Sequence, residues 1–146
     1  QENFKSVIRA YYRSTAAALV VFDLTVKSSF DSVQEWINEC KANGNPEVIL
    51  VLVGNKTDLA TKRVVSREEA ENFAKKSKMI YFETSAKSSE GVEELFIKTA
   101  EAVLAKIESG VIDPKVETFG VKLGVQAPSS GFKKPILEKN EKKKCC

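Results

Sequence analysis

Short apolar runs alternate with amphipathic segments along the first 108 residues of the chain. Three of these runs, at residues 16–22, 48–53 and 79–82, have the length and continuous hydrophobicity that are typical of buried strands. Strands separated by helices are joined by crossover connections and therefore lie parallel in one sheet. The pattern predicts an α/β fold of parallel strands alternating with helices, with ligand loops at the carboxyl ends of the strands.

Apolar residues at helical spacing predict three helices between and after these strands. The first follows Ser28-x-x-Asp31 and the second follows Ser66-x-x-Glu69, both of which are capping-box signals, and Gly91 precedes the third. The apolar faces comprise Phe30, Val33, Ile37 and Cys40 in the first helix, Ala70, Phe73 and Ala74 in the second, and Val92, Leu95, Phe96, Ala100, Val103, Leu104 and Ile107 in the third.

Two residues of the first predicted helix allow more than one interpretation. Trp36 could belong to a partner surface, but it lies one position off the apolar face, which favours packing at the edge of the core. Cys40 lies on that face and is most simply a core residue.

The composition changes at about Gly110, beyond which the helical period is lost. Residues 110–146 hold four of the seven glycines and three of the four prolines, so we expect residues 109–146 to be an extended or disordered tail. Six lysines and two glutamates give residues 133–146 a net charge of +4, which leaves the rest of the chain at −1. Because the basic charge belongs to the tail, the domain itself is not expected to bind nucleic acid.

The cysteine and histidine counts restrict the chemistry further. Three cysteines, two of them adjacent at the end, do not make a disulfide framework and fit a reducing compartment. The chain has no histidine, the commonest general base and metal ligand, and no metal site is predicted within it. Any hydrolysis would therefore work by positioning and electrostatics.

Two polar loops directly follow the second and third apolar runs and together provide what a guanine base requires. The predicted guanine-binding residues are Asn55, Lys56, Asp58, Ser85, Ala86 and Lys87. Asp58 can accept hydrogen bonds from N1–H and the exocyclic amino group of guanine, an edge that adenine does not present. The backbone N–H of Ala86 can meet O6, and the stems of Lys56 and Lys87 can cover the two ring faces. Rejection of the wrong base would be strong, because the carboxylate would be left buried and unpaired.

The first loop alone is a weak signal, since Asn-Lys-x-Asp also fits an Asx-type turn after a strand. Ser85-Ala86-Lys87 after the next strand, with helices interleaved, favours guanine contact over a simple turn.

With Asn-Lys-Thr-Asp-Leu and Glu-Thr-Ser-Ala-Lys each between a strand and a helix, the chain resembles the Ras-like small GTPases. Several short segments resemble the Rab family in particular, and segment 106–124 is most similar to Rabs that work between endoplasmic reticulum and Golgi. The Rab-like segments are Gln1-Glu2, Tyr11-Tyr12-Arg13, Leu19 to Asp23 followed by Leu24-Thr25, and Cys145-Cys146. The resemblance implies a GTP-binding and GTP-hydrolysing switch in vesicle-mediated membrane traffic, with GTP or GDP and Mg²⁺ as cofactors.

The same resemblance implies that Gln1 orients the water that attacks the γ-phosphate, which makes Gln1 the predicted catalytic residue. The sequence contains no Gly-x-x-x-x-Gly-Lys-Ser/Thr loop and thus no Mg²⁺-binding hydroxyl from that loop. We therefore expect residues 1–108 to be the C-terminal part of a P-loop small-GTPase domain, with activity residing in a longer parent. For this chain alone we expect no hydrolysis and a dissociation constant for guanine nucleotides of about 1 mM or weaker.

The terminal Cys145-Cys146 pair is predicted to be the anchor of the chain. It is not a C-a-a-X ending, and two prenyl chains would satisfy the two-signal requirement for stable membrane binding. Nearby lysines would add about 1 kcal/mol each at an anionic leaflet, although a lysine run can also be a merely solvated terminus. The expected location is the cytoplasmic face of endomembranes, with endoplasmic reticulum and Golgi as candidates, and the cytosol when the chain is extracted.

The Rab resemblance also implies a set of protein partners. These are Rab escort and GDP-dissociation-inhibitor proteins, exchange factors, GTPase-activating proteins and effectors. An alternative function is a catalytically dead, prenylated interaction module that competes for these Rab partners.

Overall fold

A computed structural model of the chain describes residues 11–116 and 119–121. Its elements are, in order, β1 (Ala17–Asp23), α1 (Lys27–Asp31), α2 (Val33–Asn43), β2 (Ile49–Asn55), a 3-10 segment (Thr57–Lys62), α3 (Arg67–Ser77), β3 (Ile80–Thr84) and α4 (Val92–Glu108). The three predicted strands are confirmed. Each begins one residue later than its apolar run and continues into the polar residues that follow.

The three strands form one parallel sheet in the order β1-β2-β3, which confirms the predicted α/β fold class. Their register aligns the carboxyl ends, because Asp23 is paired with Asn55 and Asn55 with Thr84. The loops that leave these three residues therefore start side by side at one edge of the sheet.

The central strand β2 is buried on both faces and separates two apolar clusters. Leu50 and Leu52 point to the larger cluster, which includes residues of α1, α2 and α3, while Val51 and Val53 point to the cluster under α4. Val51 and Leu52 are both 0% exposed, which explains why β2 is an uninterrupted apolar run. Burial of both faces fixes the position of the loop after Asn55.

The first predicted helix is wrong in one respect, since it is two helices, α1 and α2, that meet at Ser32. Ser28 lies inside α1 and does not cap a longer helix. The side chain of Ser32 donates to the carbonyl of Ser28 at 2.9 Å, a back-bond that bends a helix. The cap at Ser66 is confirmed, because its Oγ accepts from the N–H of Glu69 at 3.1 Å.

Trp36 is not at the edge of the core, because its side chain is 53% exposed. Ile37, one position on, is fully buried, and successive residues of an α-helix point about 100° apart. Phe96, predicted on the apolar face of α4, is likewise 58% exposed beside the buried Leu95. The burial of Cys40 is confirmed.

Three predicted site residues, Gln1, Cys145 and Cys146, lie outside the described residues, as does most of the predicted tail. Ile112, near the start of that tail, is 1% exposed, so packing against the domain extends at least to this residue. None of the helices among the described residues is long and apolar enough to cross a membrane.

Candidate guanine-binding site

The two predicted loops are joined by hydrogen bonds at the carboxyl edge of the sheet. Asn55, the last residue of β2, accepts with its Oδ1 from the backbone N–H of Ala86 at 3.1 Å and from Thr84 Oγ1 at 3.4 Å. Because the strand register pairs Asn55 with Thr84, the Asn55 side chain lies close to Ala86, which is two residues beyond Thr84. Asn55 therefore acts as the link between the loops in this structure.

A second hydrogen bond between the loops holds Asp58, the residue predicted to recognise the base. Ser85, whose residue is fully buried, donates its hydroxyl proton to Asp58 Oδ1 at 2.6 Å and accepts from the Ser88 N–H at 3.1 Å. Within the described residues, the second carboxylate oxygen of Asp58 has no hydrogen-bond partner. A carboxylate with one oxygen anchored and one oxygen open is suited to a ligand that presents N–H groups.

Lys56 is oriented by its backbone and by a neighbouring carboxylate. Its φ of 77° is left-handed, which turns the chain sharply between β2 and the 3-10 segment. Its Nζ lies 2.6 Å from Asp23 Oδ2, at the end of β1. The hydrogen bond from Lys56 is the main reason that the pKa of Asp23 falls from 3.8 to about 2, and hydrogen bonds from Thr25 add to the effect.

The Asp23–Lys56 pair predicts a defined dependence of stability on pH. Because the folded-state pKa of Asp23 lies below its ordinary value, its contribution to the free energy of unfolding is present above pH 3.8 and is lost as the pH falls towards 2. We expect the stability difference between wild type and Asp23→Asn to shrink across this window, as measured by urea unfolding at each pH. A difference that stays constant from pH 3.8 to pH 2 would show that the charge of Asp23 does not contribute to the free energy of unfolding.

The loops enclose an open cavity of about 330 Å³, at the lower end of the range for small-molecule pockets. Its lining residues are Asn55, Lys56, Asp58, Leu59, Ala86 and Lys87. Five of the six predicted residues thus line one cavity, and the sixth, Ser85, lies beneath it and holds Asp58 in place. Leu59 was not predicted, although an apolar residue within an otherwise polar loop is the signal that could have shown it.

The residues present fit a guanine base. The open oxygen of Asp58 can accept from the base, Leu59 offers an apolar wall, and the lysine stems line the cavity. The predicted contact between the Ala86 N–H and O6 remains a prediction, because this N–H donates to Asn55 in the structure. It would have to be shared between Asn55 Oδ1 and O6 when a base is bound.

Two further residues shape the second loop: Glu90, which sequence analysis missed, and Gly91, which it noted only as the residue before the third helix. Glu90 accepts from Thr57 Oγ1 at 2.7 Å, and its carbonyl accepts from the Ser85 N–H at 3.0 Å. Gly91 follows with a φ of +69°, and a Cβ at this position would lie 2.5 Å from the Glu83 carbonyl oxygen. The loop can return to β3 this closely only because residue 91 has no side chain.

Gly91→Ala is expected to lower the free energy of unfolding by about 1–3 kcal/mol, because alanine combines left-handed strain with a backbone clash. Gly110→Ala is the matched control, since Gly110 has a φ of +75° but nothing within 4 Å of an added Cβ. Urea unfolding of both variants separates the clash from the strain. Equal losses of stability in the two variants would mean that the contact with the Glu83 carbonyl does not contribute to the free energy of unfolding.

A parallel sheet with polar loops around a cavity at its carboxyl edge is the arrangement in which open α/β proteins bind their ligands. Comparison with known families supports a narrower assignment, since the sequence matches the Ras family across residues 1–105. The chain belongs to the Ras family of small GTPases, which in general bind GTP or GDP together with Mg²⁺. Within the described ranges 11–116 and 119–121, no group of three or more acidic, cysteine or histidine side chains could hold a metal ion.

Proposed function

We propose that this chain supplies the guanine-binding part of a Rab-type GTP-binding switch in vesicle-mediated membrane traffic, anchored through prenylated Cys145 and Cys146. The observation that carries the nucleotide part is the Asp58 carboxylate, which is held by the buried Ser85 at the wall of a cavity. The Rab-like residue segments and the two terminal cysteines support the traffic and anchoring parts.

The site selects guanine through the pairing of hydrogen-bond donors and acceptors. Asp58 accepts from N1–H and the exocyclic amino group, while Ser85 prevents the carboxylate from rotating away. Adenine presents no donor at the first position and would leave the carboxylate without a partner under the base. Asp58 is exposed in the structure, so a bound adenine would remove water from its carboxylate without replacing those hydrogen bonds. Such a loss costs about 1–3 kcal/mol, which is enough to discriminate the two purines by tenfold to a hundredfold.

Exposed aromatic side chains support a function that depends on protein partners. Tyr11 is 72% exposed and Trp36 is 53% exposed, and aromatic residues of this kind are enriched in protein interfaces. They are consistent with binding of effectors, exchange factors, GTPase-activating proteins, or Rab escort and GDP-dissociation-inhibitor proteins. Such partners would operate at the cytoplasmic face of endomembranes, with the endoplasmic reticulum and Golgi as the proposed sites.

The double variant Cys145→Ser/Cys146→Ser is expected to move the chain from the membrane fraction of cells to the cytosol. Each prenyl chain alone gives only marginal, reversible membrane binding, so we expect either single variant to be partly released. Fractionation and mass spectrometry of the C-terminal peptide provide the measurement. A double variant that stays with membranes would refute the anchor.

Nucleotide turnover by the same cellular protein separates the switch from the alternative, a catalytically dead module that competes for Rab partners. Conversion of bound GTP to GDP supports the switch. Prenylated, membrane-bound protein that binds no guanine nucleotide would support the interaction module instead.

A further inference from the structure

A partly buried ion-pair cluster joins the end of the 3-10 segment to β3, and its side chains have no part in the contacts described above. Arg63 forms two parallel hydrogen bonds with Glu83, Nη1 to Oε1 and Nη2 to Oε2, each at 2.8 Å. The hydroxyl of Tyr81 donates to Glu83 Oε1 at 2.7 Å. The side chains of Arg63 and Glu83 are only 27% and 12% exposed, so solvent screens this pair weakly. We call Arg63, Tyr81 and Glu83 the latch.

The latch joins the two segments that carry the base-reading groups. Arg63 directly follows the 3-10 segment that contains Asp58, and Glu83 lies on β3 two residues before Ser85. The 3-10 segment has no buried residue of its own. β2 fixes its start. Its end is fixed by the Arg63 side chain, by the backbone N–H groups of Val64 and Val65, which donate to the Leu24 carbonyl at 2.9 and 3.3 Å, and by the burial of Val65.

The protonation states of the latch are fixed by its own contacts. Burial alone would raise the pKa of Glu83, but hydrogen bonds from Arg63 and Tyr81 outweigh burial and lower it. Burial and the bond to Glu83 raise the pKa of Tyr81, so its hydroxyl stays a donor. Around neutral pH the hydrogen bonds of the latch are therefore all formed, and both carboxylate oxygens of Glu83 have partners.

We infer that the latch sets the spacing between Asp58 and the Ser85–Ala86 loop, and so acts as a positioning device for guanine selectivity. This inference rests on the proposed guanine site. A fork-shaped guanidinium on a carboxylate fixes both distance and orientation, whereas a single hydrogen bond fixes distance alone. Without the Arg63 side chain, the 3-10 segment that carries Asp58 would be tied to the second loop only by single hydrogen bonds, Thr57 to Glu90 and Asp58 to Ser85. The Asn55–Ala86 and Asp58–Ser85 bonds would then open more often.

Amide hydrogen exchange of the full 146-residue chain tests the positioning without any ligand. The Ala86 amide donates to Asn55 across the two loops and reports on their separation, whereas the Ser88 amide donates to the Ser85 hydroxyl that also holds Asp58 and reports on that link. In Arg63→Met we expect their exchange, relative to core amides of β2, to rise about tenfold. A rise that merely matches that of the β2 amides would reflect general destabilisation and would overturn the inference.

The chain offers a matched control and two milder variants. Lys106 bonds Glu47 at 2.7 Å to the carbonyl and 3.0 Å to Oε2, a partly buried pair just before the start of β2 and remote from the loops. Lys106→Met should leave the loop amides unchanged relative to the core. If Arg63→Met does not fold, Glu83→Gln and Tyr81→Phe, which remove one interaction each, should give smaller rises in the same amides.

Base selectivity is the second readout and separates this inference from the proposed function. Titrations followed by the Ala86 and Ser88 amide signals compare GDP, IDP, which lacks the exocyclic amino group, and ADP. We expect Arg63→Met and Glu83→Gln to lower the GDP-to-IDP affinity ratio, and Lys106→Met to preserve it. No preference for GDP over ADP in wild type would refute the guanine site, while exchange still tests the latch. A preference that survives in Arg63→Met would refute the latch alone.

Discussion

Asp58→Asn is expected to reverse the base preference of the chain, from guanine to xanthine. The carboxylate accepts two hydrogen bonds from guanine, whereas an asparagine amide donates where guanine also donates. Xanthine carries a carbonyl at C2 in place of the amino group, so the new amide would meet an acceptor. Each well-formed bidentate base contact contributes about 1–3 kcal/mol, and we expect a change in selectivity of about tenfold to a hundredfold in each direction.

The reversal is measured as the affinity ratio of GDP to XDP for wild type and for the variant. Asp31→Asn is a matched control, since it removes a carboxylate that pairs with Lys27 and lines no part of the cavity. It should keep the wild-type ratio. If Asp58→Asn still prefers GDP over XDP, the assignment of Asp58 as the base reader is wrong. Loss of both affinities would instead point to a broken Asp58–Ser85 link.

The strands and the loop positions could be predicted because both follow from local pattern and a general topological rule. The apolar runs are continuous, since β2 is covered on both faces, and parallel strands bring their carboxyl ends to one edge. Asn55 is the last residue of β2, and Ser85 directly follows β3. Their proximity therefore required no knowledge of side-chain contacts, and the structure indeed joins their loops by hydrogen bonds.

Features that depend on tertiary contacts could not be read from the sequence. The latch joins residues 63 and 83, twenty positions apart, and no periodicity relates an arginine after one turn to a glutamate within the next strand. The exposure of Trp36 depends on how α2 is rotated about its own axis over the sheet. The spacing of the apolar residues predicts this rotation only to within one residue. The break at Ser32 results from competition between a hydroxyl and the helix backbone, which a capping pattern does not include.

Phe22→Ala is expected to have the largest effect on stability, because the ring of Phe22 fills the interior between β1 and α1. Phe22 is 2% exposed, and its ring centroid lies 4.9 Å from that of Phe30 in a tilted arrangement. Removal of a buried phenylalanine costs about 3–5 kcal/mol, the sum of lost transfer energy and the cavity left behind. The residues around the cavity could fill little of it by moving inward, since Gly54 on the neighbouring strand has no side chain to move into it.

The same strand supplies the control for this prediction. Val21, the preceding residue, points to the opposite face and is 56% exposed, so Val21→Ala should cost well under about 1 kcal/mol. Urea unfolding of both variants should show a large fall in the midpoint for Phe22→Ala at an unchanged slope. Since typical domains are stable by only about 5–15 kcal/mol, the loss would consume much of the available stability. The effect would also reach the site, because Asp23, the partner of Lys56, follows Phe22 directly. Similar losses in the two variants would show that β1 does not pack on α1 as the structure has it.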